Sequence, residues 1–240
     1  MKKLLISVLF LAVGLMAGGR AAAQNIQAHY DFGRSIYDNE EAGRQRVTLT
    51  LEHFNADKWG SWYYFVDIDL GRHFTESAYT EISREIKFGT NSPLAGHLEY
   101  NGGLNRHGSF QQAALGGLAF NGHSADFSKT FSLQVLYKQF FKSYENTHAY
   151  SSAQITGVWG ITFAGGKCTF SGFVDFWRGE KGNNHGCLVV LTEPQFWFNV
   201  TKNLSFGGEV EMSYNFIYNQ DPTSSKKFFV NPTLAVKWNF

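Results

Sequence analysis

Phe228-Phe229-Val230-Asn231-Pro232-Thr233-Leu234-Ala235-Val236-Lys237-Trp238-Asn239-Phe240 is the stretch that decides the fold. Taken from the last residue backwards, every second side chain gives Phe240, Trp238, Val236, Leu234, Pro232, Val230 and Phe228. The intervening set is Asn239, Lys237, Ala235, Thr233, Asn231 and Phe229. One set is greasy and the other mostly polar. Strand side chains alternate between two faces, so this strand separates two different media.

The opposite end reads as an export signal. Lys2 and Lys3 precede an apolar run from Leu4 to Ala17, and Ala21 and Ala23 form a small-residue cleavage site. Residues 1–23 are therefore expected to be a signal peptide, cut before Gln24, and 24–240 a single domain. The run is too short to span a bilayer comfortably as an anchor. No cysteine follows it, which argues against a lipoprotein. The formal net charge of +1 becomes −2 when Lys2, Lys3 and Arg20 leave with the signal. A nucleic-acid partner is not expected, because phosphate binding needs a basic excess.

Working outward from the last strand, twelve alternating segments can be marked: about 26–34, 46–55, 61–70, 78–88, 94–101, 112–121, 129–138, 150–163, 167–178, 187–199, 203–216 and 227–240. Val47, Leu49 and Leu51 oppose Thr48, Thr50 and Glu52; Leu204, Phe206, Val210 and Met212 oppose Ser205, Glu209, Glu211 and Ser213. Connections also alternate. Long polar ones (35–45, 71–77, 102–111, 139–149, 179–186, 217–226) interleave with mostly shorter ones (56–60, 89–93, 122–128, 164–166, 200–202). Aromatics make up 17% of the chain, enough to furnish girdles at two interfaces. The expected fold is all-β, a twelve-stranded antiparallel transmembrane β-barrel of the outer-membrane type. A secreted β-sandwich with one wet face is the soluble alternative.

Two details are less regular. Arg84 shares parity with Ile82, Ile86 and Phe88, which would aim it at lipid unless a bulge turned it inward. Cys168 and Cys187 fall on neighbouring strands. Hairpin pairing separates them by about ten residues, or about 30 Å of strand rise, so free thiols are expected.

With the apolar parity on lipid, the other parity lines the lumen. It collects Asp31, Glu52, Asp67, Asp69, Glu81, Glu85, Glu99, Asp175, Glu193, Glu209 and Glu211, against Lys87, Lys138 and Lys237. Phe65, Tyr79, Phe173 and Trp177 share that face. An acidic lining with aromatic rings can stack flat solutes and accept hydrogen bonds from hydroxyl and amino groups. It can equally fill and stiffen a closed interior. Strand direction puts Asp67, Asp69, Tyr79, Glu81, Glu99, Lys138, Asp175, Trp177 and Glu211 in the outer half, as a candidate recognition zone.

Enzyme signals are thin. Asp67-Ile68-Asp69 with His29 and Asp31 could activate water, as in outer-membrane aspartyl-type proteases. The eight histidines show no metal-binding spacing, and neither a metal nor another cofactor is expected.

The order of motifs resembles the Tsx-type nucleoside-specific channel-forming proteins of bacterial outer membranes, and more closely an anaerobe-type branch of that group. The resemblance is carried by Trp59-Gly60 and Trp62-Tyr63-Tyr64-Phe65-Val66-Asp67-Ile68, then Tyr79-Thr80-Glu81-Ile82-Ser83-Arg84. Ala114-Leu115-Gly116-Gly117-Leu118-Ala119-Phe120, Phe131-Ser132-Leu133-Gln134-Val135-Leu136-Tyr137 and Gln154-Ile155-Thr156-Gly157-Val158-Trp159 follow. Phe170-Ser171-Gly172-Phe173-Val174-Asp175, Glu193-Pro194-Gln195, Gly207-Gly208-Glu209-Val210-Glu211 and Trp238-Asn239-Phe240 complete it, over about 46–240. The resemblance implies a monomeric twelve-stranded barrel in the outer membrane of a Gram-negative bacterium, in contact with its lipid. It also implies passive uptake of a small polar solute, nucleosides first, through a narrow pore. Asp67, Glu81 and Asp175 are the motif positions that match. The alternatives are a non-transporting barrel, serving surface interaction or as a scaffold, and an outer-membrane hydrolase.

Overall fold

The computed structural model describes residues 22–143, 148–181 and 185–240. The expected signal peptide falls almost wholly outside the described residues.

All twelve strands form where the alternation lies. They are β1 (Ala22–Asp31), β2 (Val47–Asp57), β3 (Gly60–Gly71), β4 (Phe74–Lys87), β5 (Leu94–Asn105) and β6 (Ala113–His123). The other half is β7 (Lys129–Phe140), β8 (Tyr150–Phe163), β9 (Cys168–Lys181), β10 (His185–Thr192 and Gln195–Asn199), β11 (Leu204–Tyr214) and β12 (Phe228–Asn239). A two-residue piece, Gly108–Ser109, folds back on β5, and α1 (Gly33–Ile36) is a single helical turn after β1. Each strand pairs antiparallel with its chain neighbours. β1 closes the ring on β12, with Asn25 opposite Asn239 and Asp31 opposite Thr233.

The two halves of β10 are one strand interrupted at Glu193-Pro194. Both halves pair with β9 in unbroken register. Proline lacks the N–H that a ladder needs, and Gly172 stands across from it. A Cβ on Gly172, whose φ is +154°, would come within 2.5 Å of the Glu193 carbonyl oxygen.

Burial separates a barrel from a sandwich. Leu98, Leu118, Leu133, Val135, Ile155, Phe196 and Leu234 are exposed, while Gln27, Asn101, Gln134, Gln154 and Asn231 are buried. A soluble fold has the reverse pattern. An apolar exterior of this extent around a closed sheet is a lipid-facing surface. Exposed Trp59, Trp62, Phe88, Phe127, Phe163, Trp238 and Phe240 girdle the end at which β1 begins and β12 finishes.

Several boundaries differ from the sequence reading. The connection expected over 71–77 is a two-residue hairpin, because a register slip at Asp69/Leu70 absorbs an extra residue and lets β4 begin at Phe74. β5 runs on to Asn105. Arg84 is not re-aimed into the lumen: it stays on the outer face near the short-turn end. It pairs bidentately with Asp57 at 2.8 and 3.0 Å and lies 5.1 Å from the Trp62 ring centre. An interfacial Arg of this kind avoids the mid-bilayer penalty. Cys168 and Cys187 are both free, as expected. Cys187 stands opposite Gly179, eleven positions up the strand from Cys168 and on the other face.

Candidate functional site: the barrel lumen

The inward parity carries Asp31, Phe65, Asp67, Asp69, Tyr79, Glu81, Glu99, Lys138, Asp175, Trp177, Glu193, Glu209 and Glu211, each on its expected face. They divide into three groups.

At the outer mouth, the segment between β1 and β2 folds inward. Arg44 donates to Asp31 at 2.8 and 3.0 Å and to Glu211 at 3.2 and 3.3 Å, joining β1 to β11 through a loop side chain. Glu41, only 2% exposed, accepts from Asn231 Nδ2 at 2.8 Å and lies 3.9 Å from Arg44. Its Oε2 and the Oδ1 of Asn231 are unpaired buried acceptors. The segment fits only because Gly33 lacks a side chain. A Cβ there would sit 2.5 Å from Asn231 Oδ1 and 2.7 Å from Glu41 Oε2. The loop between β11 and β12 backs this arrangement: Lys226 reaches Glu40 at 3.3 Å and stacks 4.4 Å over Tyr37. A cavity of about 270 Å³ opens beside it, lined by Glu41, Gly43, Arg44, Ile217, Tyr218 and Gln220. Burial raises the Glu41 carboxyl above its usual range, against the pull of Arg44. The carboxylates of Glu211 and Asp31 hold the Arg44 guanidinium charged despite its desolvation.

A second group lies on the wall from β10 round to β4. Thr48 and Ser77 both donate to Asp69 (2.7 and 2.6 Å), and Thr50 donates to Asp67. Glu52 accepts from Asn25, Gln27 and Tyr63 at 2.9–3.0 Å. Gln195 donates to Glu209 at 3.1 Å, and Lys237 sits 3.8 Å over Trp197 within electrostatic reach of Glu52 and Glu209. Glu209, Glu211, Asp67 and Glu81 all lie within electrostatic reach of Glu193, so carboxyl groups crowd this wall.

The third group surrounds Lys138. Its ammonium is buried, bonds Gln154 at 2.7 Å and lies 4.6 Å over Trp177 and 5.0 Å over Phe140. Glu81, Asp175 and Glu99 supply its counter-charge. His97 bridges Glu85 and Glu99 at 3.4 and 3.0 Å, and Tyr79 donates to Glu81 at 2.8 Å. Beside Lys138 the inward faces of β6 to β10 turn apolar: Leu115, Leu136, Phe140, Tyr150, Trp177 and Val189 pack as one cluster.

Sequence reading missed two things here. Arg44 lay in a segment taken as an outside loop, although unmatched Asp31 and Glu211 near the same mouth signalled a cation. The inward apolar patch was hidden by the Ala- and Gly-rich β6, whose register alternation alone does not fix. His29, part of the thin hydrolase signal, bonds Gln27 at 2.9 Å and Thr233 at 3.0 Å, and lies 3.4 Å from Glu209. Its ring nitrogens are thus engaged by groups other than Asp67 and Asp69. Among the described residues, no cluster of three or more His, Cys, Asp or Glu could hold a metal ion.

A family model described as a domain of unknown function, DUF5020, matches residues 23–240. The chain belongs to the DUF5020 family. No curated protein matches it. Among solved structures, this DUF5020 barrel is similar to the NanC porin, with a TM-score of 0.58 at 11% identity over 91% of this chain and 99% of that one. It is also similar to the KdgM porin in complex with disordered oligogalacturonate, with a TM-score of 0.51 at 12% identity, again over 91% and 99%. At these identities the likeness is one of fold: a twelve-stranded barrel of the outer-membrane porin type.

Proposed function

We propose that this DUF5020 barrel, exported by its leader at 1–23, spans the outer membrane as a channel for facilitated diffusion of small polar solutes that carry no negative charge. Nucleosides are the first candidates. The observation that carries this reading is the sign of the lumen. Its inward faces hold an array of carboxylates, and Glu209, Glu211, Asp67 and Glu81 all lie within electrostatic reach of Glu193. Few cations answer them, chiefly Arg44, Lys138 and Lys237. Such a lining repels phosphorylated solutes and offers acceptors to hydroxyl and amino groups. The apolar patch beside Lys138 gives one wall on which a flat heterocycle can lie. The nucleoside assignment also rests on the motif resemblance to Tsx-type channels. An acidic lumen is a poor match to a polyanion such as the oligogalacturonate bound by the KdgM porin. No energy coupling is involved; weak successive contacts suffice.

Liposome swelling tests the proposal directly. Wild-type proteoliposomes should swell faster with a nucleoside than with its monophosphate. The pair Asp67→Asn and Glu81→Gln should narrow that difference and lower cation preference in planar bilayers. Equal swelling with both solutes would overturn the selectivity. Absence of any conductance from folded protein would favour a scaffold role.

A further inference from the structure

The short-turn rim repeats one chemical pattern that the lumen reading does not use. Each connection at that end carries or adjoins an exposed lysine: Lys58, Lys167 and Lys202 lie within turns, and Lys87 and Lys129 are the strand-end residues that flank the other two. Beside them stand exposed apolar side chains, Trp59, Phe88, Phe127, Phe163 and Val200. The rim's acids are engaged locally. Asp57 is bound by Arg84 and by the backbone N–H groups of Trp59 and Gly60. Asp126 is bound by Ser124 and Ser128 within its own turn. Arg84 offsets the charge of Asp57, so these turns oppose the lysines chiefly with Asp126 and their field is net positive; Lys58 Nζ lies 5.0 Å from the Trp59 ring centre.

We infer that this rim binds anionic phospholipid headgroups of the inner leaflet, phosphatidylglycerol or cardiolipin, with the ammoniums on the phosphates and the rings in the acyl boundary. The occupant follows from charge complementarity and position. In an outer-membrane barrel short turns face the periplasm, so the lipid that meets them is the phospholipid of the inner leaflet. The inference rests on the membrane-spanning reading but not on transport. A lysine at a membrane surface favours anionic lipid by about fivefold.

The test is native mass spectrometry of the detergent-released barrel, incubated with equal amounts of phosphatidylglycerol and phosphatidylcholine. Wild type should retain phosphatidylglycerol in at least several-fold excess. The quadruple variant Lys58→Gln, Lys129→Gln, Lys167→Gln, Lys202→Gln should lose that excess, and the matching Lys→Arg variant should keep it. These four positions lie outside the lumen groups, so single-channel conductance of the Gln variant should be unchanged. If the Gln variant does not fold, wild type decides alone. Its excess must collapse in about 1 M salt, where screening acts within about 3 Å. Equal retention of both lipids by wild type, or a preference that survives the four Gln substitutions, overturns the inference.

Discussion

Replacing Arg44 with alanine should open the outer mouth. In the folded barrel its guanidinium makes four hydrogen bonds, two to Asp31 and two to Glu211, at 2.8–3.3 Å. The Asp31 side chain is 7% exposed and that of Arg44 24%, so the pair is largely but not wholly removed from water. Deleting one partner of a buried pair costs about 3–5 kcal/mol, and the partial exposure argues for the lower end. About 3 kcal/mol is roughly a hundredfold shift in the population of the undocked loop. The loss also leaves Asp31, Glu41 and Glu211 facing one another without a counter-charge. Two readouts follow: the apparent melting temperature of the detergent-folded barrel falls, and labelling of a cysteine placed at Gly43 by a bulky maleimide accelerates by about the same factor. In planar bilayers the variant should show fewer closed intervals and a stronger preference for cations. Arg44→Lys should fall between the two, since a point charge cannot bridge both carboxylates as a planar fork does. Labelling and gating in Arg44→Ala that match wild type would refute the assignment of Arg44 as the tie between loop and wall.

Three further outcomes follow from the same geometry. Glu41→Gln should stabilise the docked loop by about 1 kcal/mol, because its amide can donate to the unpaired Asn231 Oδ1 without a buried charge. The folded Glu41 carboxyl titrates above its ordinary value of 4.5, so ionisation weighs against the docked state as pH rises above that value. The advantage of the variant should appear in thermal melts at neutral pH and vanish below about pH 4. Lys138→Met removes the counter-charge of Glu81, Glu99 and Asp175, so the reversal potential in a KCl gradient should move toward that of K⁺. Arg84→Ala, at the interface, should cost under about 1 kcal/mol in urea unfolding, whereas Leu133→Arg on the lipid face should cost about 2–4 kcal/mol.

Much of the architecture was legible because a membrane imposes two solvents on one sheet. Every strand with a clean apolar parity was placed, and Tyr150–Phe163 was bounded to the residue. The polar parity also told which carboxylates turn inward. What stayed hidden depended on distant partners. Nothing near Arg44 in the chain announces Glu211, 167 residues away. The slip at Asp69/Leu70 left no mark beyond one extra residue. The apolar patch on β6 to β10 breaks the rule that inward means polar, since a lumen needs water-compatible groups only where water goes.

The seam between β1 and β12 has a consequence for assembly. Asn25 and Asn239 are neighbours in space but far apart in the sequence, so the ring cannot be sealed until the final hairpin arrives. Until then two ladder edges stand open, each able to recruit a foreign strand. Loss of Phe228–Asn239 would thus leave not a smaller pore but a sticky, unclosed ribbon, and biogenesis must shelter both edges until they meet.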